Sequence, residues 1–128
     1  IEPDTMNIDP ALVQAAVTEK TKAVICVHYG GHPCDMDALH AIARRHGLVI
    51  VEDAAHALPA RHGDRWIGQG DNLAAFSFYA TKTITSGDGG AIAVRDAGLA
   101  DRRRGMGFHG ISKDVVARYG GGERQDSP

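Results

Sequence analysis

Between residues 22 and 94 the chain alternates short unbroken apolar runs with stretches whose apolar residues return every three or four positions. "KAVICVH" (22–28), "LVIVED" (48–53), "AAFSFY" (74–79) and "GAIAV" (90–94) are brief, rich in β-branched or aromatic residues, and bounded by Gly, Asp or His. They are predicted to be strands, the first two buried. Between those two, Met36, Leu39, Ile42 and Ala43 share one helical face, with Asp35 placed to cap its start and Gly47 to end it. An earlier helix is predicted from Asp9-Pro10, a cap followed by a first-turn proline, with Leu12, Val13, Ala16 and Val17 along one side. "RHGDRWIG" (61–68) reads as a small hairpin turning at Gly63-Asp64. Asp96 can cap a last short helix carrying Leu99 and Arg102 to Arg104.

Strand–helix–strand order with continuous apolar strands argues an α/β fold: a mostly parallel sheet with flanking helices. In such sheets ligands gather at the carboxyl ends of the strands. His28, Asp53 and the loop holding Lys82 fall at those ends. The 128 residues amount to about one domain, and a net charge of −2 gives no electrostatic case for a nucleic-acid or anionic-membrane surface. No apolar run is long enough to span a bilayer. No signal peptide is visible and the first residue is not Met, so the chain is expected to begin mid-protein or after processing. Cys26 and Cys34, the two cysteines, are expected to be reduced, partly buried thiols of a cytoplasmic protein. The stretch 120–128, "GGGERQDSP", has no apolar periodicity and is expected to be a disordered polar tail.

The chemistry concentrates in "FSFYATKTITSGDGGAIAV", residues 76–94. A lone cation, Lys82, follows an apolar strand and sits among Thr81, Thr83, Thr85 and Ser86. A lysine in an apolar, desolvated site loses basicity and becomes a nucleophilic amine, the type that forms Schiff bases with carbonyls such as that of pyridoxal phosphate. A surface loop lysine is the simpler alternative. Asp53 ends a strand, where a carboxylate could hold a proton on a pyridine nitrogen. It could instead cap "AAHAL", one geometry is not expected to serve both roles easily, and Glu52 beside it competes. His56 lies three residues on, one turn away if "DAAHA" is helical, and could lie over a flat ring or simply be a hydrogen-bonded loop histidine. Ser77, the threonine hydroxyls and the glycine amides could meet a phosphate, although Ser77 could equally be a small strand residue.

"VHYGGHPCDMDALHAIARRHG", "VIVEDAAHALPA" and "FSFYATKTITSGDGG" together resemble the DegT/DnrJ/EryC1/StrS sugar aminotransferases, from about Ile1 to Tyr119. The segment with His109 to Ser112, Asp114, Arg118 and Tyr119 resembles a subgroup that makes 4-amino-4,6-dideoxy sugars. The resemblance implies the aspartate aminotransferase fold (fold type I) and pyridoxal 5′-phosphate as cofactor. It implies Lys82 as the Schiff-base lysine, Asp53 as the partner of the pyridine nitrogen, His56 against the ring and its 3-hydroxyl, and Ser77 as a phosphate ligand. Two positions depart from the family pattern, Ala80 where Pro is usual and Thr83 where Asn is usual. The family's chains are well over twice as long. Residues 1–119 are therefore expected to be part of the cofactor-binding large domain, without the Gly-Thr phosphate-binding helix start or the C-terminal domain.

The activity so implied is transamination of a nucleotide-linked 4-keto-6-deoxy sugar with glutamate as donor, in amino-sugar or polysaccharide biosynthesis, by a cytoplasmic homodimer whose active site lies at the subunit interface. A sister branch of dehydratases carries His in place of the lysine, and Lys82 argues against it. A degenerate or regulatory cofactor-binding member, or an inactive fragment, is the alternative. A metal site built from His28, His32, Cys34 and Asp35, with His56 and His62 further on, lacks the paired spacing of a zinc site, and no metal is expected.

Overall fold

The computed structural model describes residues 1–107. The expected polar tail at 120–128 and the segment His109–Tyr119 lie outside the described residues. The chain divides into two compact units, residues 1–95 and the remainder from Asp96.

The first unit is built on a four-stranded sheet. β1 (Ala23–Val27), β2 (Val49–Asp53), β5 (Leu73–Ser77) and β6 (Gly90–Ala93) lie side by side in that order. β1 and β2 run parallel, as do β2 and β5, while β6 turns back antiparallel on β5. The sheet is thus mostly parallel, as expected. β3 (Arg61–His62) and β4 (Arg65–Trp66) form the predicted hairpin around Gly63-Asp64.

The crossover from β1 to β2 is α2 (Met36–His46), and its ends are set locally. Asp35 Oδ1 accepts from the Ala38 amide at 3.0 Å, satisfying a donor that the first turn leaves unpaired. Gly47 takes the left-handed conformation at φ 64°, and its amide closes the last turn on the Ala43 carbonyl. The apolar stripe of Met36, Leu39, Ile42 and Ala43 is buried as predicted. Met36, Leu39 and Ala43 pack on the inner sheet face with Val24, Cys26 and Ile50, and Cys34, Ala54, Ala57 and Ile67 complete the core. Both cysteines are free and fully buried.

Three expectations need correction. β1 and β2 were expected to be buried, but they bury alternate residues only. Val24, Cys26, Ile50 and Ala74 point into the core, while Ile25, Val27, Val49 and Ile92 stand on the other face, between 48% and 67% exposed. Side chains alternate across a strand, and residues 1–95 put helix α2 on one side of the sheet only. Helix α1 (Pro10–Ala16) is capped as expected, Asp9 Oδ1 accepting from the Ala11 and Leu12 amides, but it buries no residue. Of its expected apolar side, Val13 packs against the core while Leu12 remains 58% exposed. Finally, "DAAHA" is a tight turn, closed by the Ala57 amide on the Ala54 carbonyl at 3.0 Å, and not a helix.

In the second unit, α3 (Ala97–Gly107) starts at Asp96, whose Oδ1 accepts from the Leu99 amide at 2.6 Å, as predicted. Among the described residues no helix is long and apolar enough to cross a membrane.

Candidate functional site

The parallel strands β1, β2 and β5 all present their carboxyl ends to one edge of the sheet, and the chain leaves each strand there by a tight turn. After β1 comes the one-turn segment Tyr29–Gly31. After β2 comes the Ala54–Ala57 turn. After β5 the Lys82 amide closes a turn on the Tyr79 carbonyl at 2.9 Å, and the Ser86 amide reaches the Phe78 carbonyl at 3.0 Å. The three turns enclose an open cavity of about 290 Å³. Its wall includes Gly30 from the first turn, Ala55, His56 and Leu58 from the second, and Ser77, Thr81, Lys82, Thr83 and Ile84 from the third.

Three of the four residues singled out in the sequence therefore face one space: Lys82, His56 and Ser77. Ala54 and Ala57, at 0% and 1% exposure, pin both ends of their turn in the core, which pushes Ala55 and His56 outward into the cavity. Ser77 Oγ accepts from the Tyr79 amide at 3.3 Å, leaving its hydrogen free to donate. Lys82 is half-buried and has no carboxylate partner among the described residues. The apolar, desolvated setting expected for Lys82 is not supplied by its own loop, because Thr81 and residues 83–90 are exposed.

Asp53 is the fourth, and it does not line the cavity wall. It ends β2 in register with Val27 and Ala75, on the same sheet face as Ser77. One carboxylate oxygen accepts from the Ala55 amide at 3.0 Å, and the other takes no hydrogen bond among the described residues. The two alternatives for Asp53, capping the next turn or meeting a ligand, are thus compatible, one oxygen for each.

Glu52 is on the other face, 3% exposed, and its two oxygens are both occupied. Oε2 meets His28 Nε2 at 3.0 Å, and Oε1 accepts from Asn72 Nδ2 at 2.9 Å. Burial disfavours its charge, but these hydrogen bonds outweigh it and hold its carboxyl below the ordinary value. His28 is fully buried. Burial disfavours a charged ring, but Cys34 and Glu52 outweigh it and push its pKa up to about 9. Against that upward push stands the hydrogen-bond geometry: Nδ1 accepts from the Cys34 amide at 3.1 Å and so keeps its lone pair, which leaves the ring neutral with its hydrogen on Nε2, pointing at Glu52.

Of the residues considered for a metal, His28 is tied to Glu52, Cys34 Sγ donates to the Val27 carbonyl, and Asp35 caps α2. Thr85, expected among the phosphate hydroxyls, spends its hydroxyl on its own loop: its Oγ1 donates to the Phe78 carbonyl and accepts from the Gly87 amide. Gly30, Leu58 and Ile84 were not foreseen as cavity residues. For Gly30 the signal was the Gly-Gly pair directly after a strand.

The donor set fits pyridoxal phosphate. A primary amine, an imidazole and three hydroxyls (Ser77, Thr81, Thr83) converge on one cavity, with a half-free carboxylate at the adjoining strand end.

Comparison with known proteins agrees. The chain is 50% identical over 119 residues to the spore coat polysaccharide biosynthesis protein SpsC of Bacillus subtilis, covering 93% of this chain and 31% of that protein. The structure of S. venezuelae DesV matches with a TM-score of 0.84 at 49% identity, over 88% of this chain and 30% of the other. DesI, solved in the presence of its TDP-sugar product, matches with a TM-score of 0.80 at 45% identity, over 90% of this chain and 29% of the other. The chain thus spans about a third of the length of these relatives, and its sheet is part of their fold. A family model for the DegT/DnrJ/EryC1/StrS aminotransferases matches residues 1–123, and the chain belongs to that family.

Proposed function

We propose that these residues form the part of a sugar aminotransferase that carries the cofactor lysine, and that the whole protein transfers an amino group from glutamate to a nucleotide-linked 4-keto-6-deoxy sugar. The observation that carries this is the convergence of Lys82, His56 and Ser77 on one cavity at the carboxyl ends of three parallel strands. Family membership supports the reaction class. A TDP-sugar product in DesI and the polysaccharide role of SpsC support the substrate class and the biosynthetic setting. Residues 1–119 are then part of the large domain, and the working protein is a cytoplasmic homodimer.

Pyridoxal phosphate, when bound, supplies a carbonyl that takes up an amine and a ring that accepts electrons from the neighbouring carbon. Lys82 Nζ would hold the cofactor and, as a primary amine in the cavity, could move a proton as general base and then acid. Asp53, through the oxygen not committed to Ala55, would hold a proton on the ring nitrogen. His56 would wall the ring on one side, and Ser77 Oγ, with Thr81 and Thr83, would donate to the phosphate.

The test is chemical. Incubation of the full-length protein with pyridoxal phosphate and then borohydride should fix the cofactor on one peptide, at Lys82. An adduct on Lys20, Lys22 or Lys113 instead refutes the assignment.

A further inference from the structure

Asn7 belongs to none of the motifs, yet it is among the most completely buried side chains of the molecule, 1% exposed. Both ends of its amide are used on one target. Oδ1 accepts from the Tyr29 amide at 2.9 Å and Nδ2 donates to the His32 carbonyl at 3.0 Å. Asn7 thus clamps the first and last residues of the turn that leaves β1. Its own backbone is fixed in return. The Asn7 amide donates to Thr5 Oγ1 at 3.2 Å, and the Asn7 carbonyl accepts from the Glu2 amide at 2.9 Å.

The clamped turn lines the cavity through Gly30 and backs onto the His56 turn through Gly31. Gly31, inside it, has φ +87°, and a Cβ placed there would lie 2.7 Å from the His56 carbonyl oxygen. The turn after β1 therefore supports the turn after β2 backbone to backbone, directly behind the residue whose side chain walls the cavity. Only a residue without a Cβ permits that approach. Ala54 and Ala57 fix the ends of the His56 turn, while Gly31 fixes its middle.

We infer that Asn7 is a positioning residue for the cofactor cavity: by holding the Tyr29–His32 turn it seats Gly31 against the His56 carbonyl and so sets where the His56 ring stands. This rests on the cavity's being the pyridoxal phosphate site. Asn7 touches neither cofactor nor substrate, and it acts through His56. Removing it frees two buried backbone groups to seek other partners, which moves the turn.

The experiment is a double-mutant cycle on the full-length protein, read as the dissociation constant of pyridoxal phosphate from a visible-absorbance titration. Asn7→Ala should weaken binding by about tenfold and shift the absorption maximum, the factor expected when one ring contact of about 1.4 kcal/mol is lost. In a His56→Ala background the same substitution should cost less than about twofold, because the contact it served is already gone. An equal loss in both backgrounds, or none in either, overturns the inference, since a merely structural role would not depend on His56. Should Asn7→Ala not accumulate, Asn7→Asp is read in the same cycle; it keeps the acceptor for Tyr29 and loses the donor to His32. Failure of the unmutated protein to take up pyridoxal phosphate refutes the assignment of the cavity, a result visible before any Asn7 variant is made.

Discussion

Glu52→Gln changes one atom and should cost far more than a surface substitution. Both carboxylate oxygens face donors: Asn72 Nδ2 at 2.9 Å, and His28 Nε2 at 3.0 Å, whose hydrogen cannot move to Nδ1 because that nitrogen is held by the Cys34 amide. A carboxamide has one oxygen. Whichever way it turns, an N–H then faces an N–H in a site 3% exposed. A buried donor left unpaired costs roughly 1–3 kcal/mol, and the surviving hydrogen bond loses its charge assistance, about 1 kcal/mol more. The sum is about 2–4 kcal/mol. In a protein of a few hundred residues that lowers the melting temperature by at least about 2 °C.

The sign of the pH dependence is fixed by the same contacts. The Glu52 pKa is depressed in the folded state from its ordinary 4.5. The carboxylate therefore stabilises the fold in full above that value, and the contribution fades as pH falls through the folded pKa. A protonated Glu52 resembles Gln, with one acceptor and one donor. Melting curves of the wild type and Glu52→Gln should thus be well separated at neutral pH and converge in acid. A gap below about 1 °C at pH 7, or one that persists unchanged into acid, refutes the tautomer and the network drawn from it.

Asp53→Asn should weaken cofactor binding without abolishing it and reduce transamination in the full-length protein nearly to nothing; unchanged turnover would move the role elsewhere. Leu39→Ala, at a position 1% exposed in the core, should destabilise by about 2–5 kcal/mol, whereas Leu12→Ala on the exposed side of α1 should stay within about 0.5 kcal/mol, both read by denaturant unfolding. The isolated 128-residue chain should associate or unfold, because Ile25, Val27, Val49 and Ile92 leave one sheet face apolar and bare. Sedimentation and thermal unfolding with and without pyridoxal phosphate check this; a cooperative monomer binding the cofactor tightly would contradict it.

What could be read from the sequence was whatever is decided within a few residues. Asp9, Asp35 and Asp96 cap the helices that follow them, and Gly63-Asp64 turns the hairpin, because each device uses only its own neighbours. Lys82 and Ser77 could be paired for the same reason: one short strand end and one turn connect them. The burial of β1 and β2 was misjudged because an apolar run reports that a strand can be covered, not on how many sides. His56 would lie one turn from Asp53 if "DAAHA" were helical, but the burial of Ala54 and Ala57 ties the segment into a tight turn. Asn7 was missed altogether. Its partners stand 22 and 25 positions along the chain, and only the folded β1 turn brings them to it.

The adjacent carboxylates Glu52 and Asp53 show how the fold resolves what spacing leaves open. Both sit at the end of the same strand, one pleat apart, and either could serve a cofactor on composition alone. A strand sends successive side chains to opposite faces, so β2 must send one under the sheet and one above it. Glu52 goes under, in register with Cys26, where α2 and the core exclude water and every oxygen must find a donor. It finds two, and with both oxygens occupied it has nothing left to offer a ligand. Asp53 goes above, in register with Val27 on the bare face, and spends one oxygen on the turn that carries His56. The remaining oxygen faces no competing donor among the described residues. The division follows from pleat geometry and from which face α2 covers: the buried acid braces the strand end, and its half-buried neighbour keeps one oxygen available for chemistry.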